Sequence, residues 1–126
     1  MTAAEILLSS RTRLDAPGTW READDSCVAF DAHGEGVGVT SPAAVQWDLY
    51  GALVAAGGGD RALNTACALF CRAVGIDCDT TAATPDPSAE QMTAMYDWLG
   101  APGRTHVEVL AAIDRASELA EGSAAT

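Results

Sequence analysis

The chain contains no lysine. Its seven cations are all arginine, set against 18 Asp and Glu, for a formal net charge of −11. The missing lysine is a compositional bias to which no mechanism attaches, but the charge balance has a consequence. A strongly negative field repels phosphate backbones, so direct nucleic-acid binding is not expected, while encounter with basic partners is favoured. Long apolar runs are also missing. No stretch approaches the roughly 20 residues that span a bilayer as a helix. Residues 1–15, "MTAAEILLSSRTRLD", lack the basic start and apolar centre of a secretory signal. The expectation is a soluble cytoplasmic protein with no membrane contact.

Chemical signatures are scarce as well. "GVGVTSPA" has glycines before a helix signal, but it lacks the lysine and the spacing of a phosphate or dinucleotide loop. There is no nucleophile elbow, no paired-histidine helix motif and no repeated cysteine pair. Asp77 and Asp79 alternate like the start of a calcium loop, without its remaining ligands or mid-loop glycine. No catalytic set, metal or cofactor is expected, and the reading leans away from an enzyme.

What is present is enough apolar character, 48% of 126 residues, to build one core. Thr2 and Glu5 form a capping box for a helix to about Leu14, stopped by Pro17 and Gly18. Residues 27–31, "CVAFD", and residues 37–39, "VGV", flank a turn and read as a short hairpin that must lean on helices. Ser41-Pro42 signals a central helix running to the glycines at 57–59, with Gly51 marking close approach of another element. Asp60 reads as the cap of the next helix, whose Leu63, Ala66, Cys67, Phe70, Cys71 and Val74 give the clearest amphipathic pattern in the chain. Asp86-Pro87 signals a fourth helix, and Thr105 with Glu108 boxes a fifth. The fold class is therefore mainly α: a single-domain bundle of about five helices over residues 1–121, one short hairpin near 27–39, and a disordered tail at 122–126. Trp47, Leu53, Leu63, Cys67, Phe70, Cys71, Leu110 and Ile113 are the expected core.

Cys67 and Cys71 lie four apart on that amphipathic stripe, where a thiol behaves as a small core hydrophobe, and all four cysteines are expected to be reduced. The candidates for function are what this structural grammar leaves over. In "WLGAPGRTHVEVL" the capping box accounts for Thr105 and Glu108, leaving Trp98, Arg104 and His106. With Trp20 they are the partner-binding candidates, since Trp and Arg are enriched at hot spots. The alternative is a small-ligand or enzymatic pocket between the central helix and the hairpin, lined by Cys27, His33, Trp47 and Tyr50. The preferred function is a protein-interaction or accessory module with a basic protein partner; a homo-oligomer is permitted.

Trp20 follows the first helix, Gly34 stands in a turn, Trp47 precedes Gly51-Ala52-Leu53, and Trp98 leads into Arg104-Thr105 and Val109-Leu110. On these residues, over about 6–116, the chain resembles a family of small bacterial and phage proteins known only as a domain of unknown function. Similar proteins often carry Cys after the central Trp and Asn-Asp after the late one; here those places hold Asp48 and Leu99-Gly100. The resemblance implies a shared fold and no activity.

Overall fold

The computed structural model describes residues 1–22, 27–80 and 85–125. Asp24 and Asp25, part of the acid excess, lie outside the described residues, as does Thr126 of the tail. Among the described residues there are five helices: α1 (Ala3–Arg13), α2 (Leu49–Ala55), α3 (Asp60–Ala73), α4 (Ala89–Leu99) and α5 (His106–Ala125). Two short strands, β1 (Ala29–Phe30) and β2 (Gln46–Trp47), pair antiparallel. No helix is long and apolar enough to cross a membrane.

The core is where the periodicity puts it. Ile6, Leu7 and Leu14 of the first helical segment meet Leu49 and Leu53, then Cys67, Phe70 and Cys71, then Met95, Leu99, Val109 and Ile113, all buried. Leu63 and Leu110 pack against this cluster from its margin. The capping signals at the two ends of the chain are realised. The Glu5 N–H donates to the Thr2 hydroxyl, and the Thr2 N–H donates to the Glu5 carboxylate. Thr105 and Glu108 make the same reciprocal pair. Gly75, at φ 88°, ends α3 in the left-handed conformation.

Four expectations are corrected. The central helix starts at Leu49, not after Pro42. Ser41 instead closes a turn, its hydroxyl accepting from Ala43 N–H and its carbonyl from Ala44 N–H. Val45 and Trp47 then run extended, as β-branched and aromatic residues favour, donating N–H groups to Phe30 and Thr19 carbonyls. Asp48 is the true cap, accepting the Gly51 N–H at 2.6 Å. Second, β1 takes β2 as its partner strand. The segment after the turn adds an antiparallel bridge of Phe30 to Gly36, flanked by bonds from Val37 N–H to Ala29 O and from Asp31 N–H to Glu35 O. Third, α3 is entered from Gly59 at φ 86° with no side-chain cap, so Asp60 sits inside the first turn and acts through the helix dipole. Fourth, Ser88 caps α4 in a box with Gln91, so the helix begins beyond Asp86-Pro87.

The miniature sheet is wider than its two strands. Trp20 bridges Trp47 in parallel on the far side of β2, so four extended segments lie side by side. This sheet sits on α2 at Gly51, where an added Cβ would collide with the Val28 carbonyl. The close approach expected from a glycine inside a helix is thus made by the strand segment.

Candidate functional site

Trp20 and His106, 86 positions apart in the sequence, meet at the end of the bundle. Their rings stack with centroids 6.0 Å apart and planes at 26°. The backbone bonds from Arg21 N–H to Trp47 O and from Trp47 N–H to Thr19 O fix Trp20 beside Trp47. His106 is positioned by the start of α5, and its Nε2 lies 2.6 Å from the Leu14 carbonyl. A carbonyl only accepts, so Nε2 carries the proton. Trp47 is buried, donates Nε1–H to the Val39 carbonyl at 3.0 Å, and carries the Arg13 guanidinium 4.9 Å above its ring. The last turn of α1, the first of α5 and β2 therefore converge on one aromatic cluster. Two donors inside it, Trp20 Nε1 and Arg13 Nε, are buried without an acceptor among the described residues.

Trp98 and Arg104 form a second pair at the α4–α5 corner. The Arg104 guanidinium lies 3.7 Å from the centre of the Trp98 ring. Its Nε donates to the Trp98 carbonyl at 2.9 Å and its Nη1 to Glu108 at 2.8 Å. The other side of Trp98 meets Phe70 edge-on, with centroids 5.8 Å apart. Glu108 completes the capping box and holds Arg104 at once. Hydrogen bonds from Thr105, backbone first, and then the Arg104 charge keep its carboxyl below the ordinary range. The corner's polar capacity is thus spent internally.

The four residues of the alternative pocket each have other neighbours. His33 is exposed on a turn built by Asp31, whose Oδ1 accepts from the His33 and Glu35 N–H groups at 2.8 and 3.0 Å. Those bonds, with Glu35 N–H foremost, lower the Asp31 carboxyl, so the alternating Asp31, His33 and Glu35 reflect turn chemistry. Cys27 packs on Gly36. Trp47 belongs to the aromatic cluster, and Tyr50 meets Tyr96 of α4 edge-on at 6.2 Å. Between α2 and the strand there is no room even for a methyl group at Gly51.

Two features escaped the sequence reading. One is Gln91, whose side chain accepts from Ser88 N–H and Cys78 Sγ–H and donates to the Asp77 carbonyl, while its own carbonyl receives Cys71 Sγ–H. A Gln three residues after Ser88 was the available signal. Burial raises the Cys71 thiol beside it to about 11 and that of Cys67, one turn earlier in α3, to about 12. The other is the outer face of α1 with α5. Arg11 donates to Asp15 at 2.8 Å and to Asp114 at 3.0 Å, over a shallow depression of about 360 Å³ lined by these three and Thr12. Another depression, of about 240 Å³, is lined by Arg61, Asn64, Pro85 and Asp86. Among the described residues no group of three or more His, Cys, Asp and Glu is placed to hold a metal ion.

The chain belongs to a family of unknown function (DUF6197), whose model matches residues 1–119. No curated protein and no solved structure matches it.

Proposed function

We propose that this member of the family is a cytoplasmic protein-interaction module that engages a basic protein partner. The observation that carries the reading is where the positive charge goes. Of seven arginines, Arg11 and Arg104 are held by the chain's own carboxylates. Arg13 and Arg21 lie over Trp47 and Phe30. Four of the seven arginines are thus half-buried and engaged, and the exposed Arg61, Arg72 and Arg115 are outnumbered by exposed Glu22, Glu35, Asp60, Asp77, Asp86 and Glu90. Such a surface speeds encounter with a basic protein and slows encounter with an acidic one. The filled contact at Gly51, and the local contacts of Cys27 with Gly36, His33 with Asp31 and Tyr50 with Tyr96, favour this reading over a small-ligand or catalytic pocket. Three buried cysteines, with all four free, suit a reducing compartment.

Half-buried Trp20 and Trp98 keep an edge toward solvent and remain in the proposal as anchors at the rim of the contact. The test is capture of partners from the native host at roughly 0.1 M and 1 M salt, between which the Debye length falls from about 10 to 3 Å. A basic protein retained at low salt and released at high salt, and captured more slowly when Glu22, Glu35 and Glu90 become Gln, is the expected result. A partner indifferent to salt and to those substitutions, or turnover of a small molecule dependent on His33, would sink the proposal.

A further inference from the structure

We infer that the paired outer faces of α1 and α5 are the surface on which that partner docks, and that the docking segment is a basic amphipathic helix. This rests on the reading of the chain as an acidic interaction module and gives it a place. On α1, Leu8, Arg11, Thr12 and Asp15 stand at i, i+3, i+4 and i+7, so they share one face. That face is opposite the buried Ile6, Leu7, Ser10 and Leu14. On α5, Val107, Ala111, Asp114 and Glu118 stand at i, i+4, i+7 and i+11, again on one face, away from buried Val109, Ala112, Ile113 and Ala116. The bond from Arg11 to Asp114 joins the two faces into one surface.

The composition of that surface says what fits it. Leu8 is 65% exposed and Val107 75%. Among the described residues only Met1 and Val45 join them as exposed large hydrophobics, so two of the four lie here. Around them stand Asp15, Asp114, Glu118 and Glu121, all exposed, against Arg11, which Asp15 and Asp114 already neutralise, and exposed Arg115 on the flank of α5. Apolar anchors ringed by carboxylates complement a helix with an apolar stripe flanked by Lys or Arg. Two packed helices leave a groove along their seam in which such a helix lies, its side chains at i, i+3, i+4 and i+7 reaching both walls. A second copy of this chain is a poor occupant, because twofold pairing would set these carboxylates against themselves. An anionic membrane surface meets the same repulsion. The rings of Trp20 and Trp98, by contrast, already have partners on the faces they present inward.

The probe is a synthetic Leu/Lys peptide of about 18 residues, five turns of helix, with its leucines on one stripe. A scrambled peptide of equal composition, its leucines spread around the helix, is the control. Each is titrated into the full, isotopically labelled chain and followed by amide shifts. The expected result is a set of shifts concentrated in residues 8–15 and 107–118, with affinity roughly tenfold or more above the scrambled peptide. Leu8→Ser with Val107→Ser should abolish that advantage and leave the melting temperature unchanged, since both side chains are exposed. Shifts centred elsewhere, or a double variant that binds like the parent, would overturn the assignment of the face while leaving the module reading in place. Failure of both peptides to bind at low salt would overturn both readings. Self-association of the parent that the double variant loses would show that a second copy occupies the surface, and would also overturn it.

Discussion

Gly51 sets two residue-level effects against each other. In an isolated helix, alanine there would gain about 1 kcal/mol over glycine. In this fold its Cβ would enter the Val28 carbonyl, and such overpacking costs typically ~1–3 kcal/mol. Contact with backbone cannot be relieved by a rotamer change, so packing wins. Gly51→Ala should lower stability in chemical denaturation, and a stabilised variant would contradict the strand-on-helix contact. The cysteines offer a second residue-level test. Cys67 is pushed up to about 12 and Cys71 to about 11, in each case mainly by burial. The nucleophile is the thiolate, so at pH 8 the half-buried Cys27 should react first with a thiol reagent. Cys67 and Cys71 should react only on unfolding, and mass spectrometry of the labelled sites reads the order directly. Single residues of this kind were partly legible: a glycine inside a helix announces a close neighbour. It does not announce which one, because Val28 arrives through strand pairing and not through helix periodicity.

Elements were legible where the deciding signal is local. The boxes at Thr2 and Thr105 and the stripe from Leu63 to Val74 contain their own partners within one or two turns. Misreadings arose where two local signals competed. Ser41-Pro42 suits a helix start and a turn equally well, and β2, paired to a strand 17 residues upstream, decided for the turn. Asp60 lost its capping place because Gly59 could take a positive φ that brings the chain into α3 directly. Of the candidate site, the pairing of Trp98 with Arg104 lies within one corner, whereas the stacking of Trp20 on His106 depends on the whole bundle. Two predictions belong at this scale. Thr105→Ala removes one leg of the α5 cap and should cost ~1 kcal/mol in thermal or denaturant unfolding. Gln91→Ala should cost about 1–2 kcal/mol, through the lost box with Ser88 and the lost tether to Asp77. It should also make Cys78 reactive in the folded protein, since the amide that holds its loop is gone. Cys78 remaining protected in that variant would mean that Gln91 is not what secures the segment.

At the scale of the whole molecule, weak acids raised by desolvation set an alkaline limit. Cys67, Cys71 and Tyr96 lie at about 12, 11 and 12, against ordinary values of 9.0 for the thiols and 10.0 for the phenol. The folded state therefore holds protons that the unfolded chain releases. This contribution to stability is fully present below pH 9 and is lost as pH rises through about 11 to 12. Unfolding followed under reducing conditions should show the denaturation midpoint falling from pH 9 upward; a flat profile between pH 9 and 11 would mean these groups are not desolvated as placed. The way α1 lies against α5 has a different consequence, which concerns time. Arg11 meets Asp114 across 103 positions, and Leu14 meets His106 across 92. A ribosome adding about 5–20 residues per second leaves Ile6, Leu7 and Leu14, part-covered by α2 and α3, waiting several seconds for the helix that completes their burial. During that interval the nascent chain presents a partly uncovered apolar strip, and non-local closure of this sort is slow even once both helices exist. Completion of the core thus waits until the α5 sequence has left the exit tunnel, so a nascent chain stalled before residue 106 should remain open to protease and to chaperones that bind apolar segments.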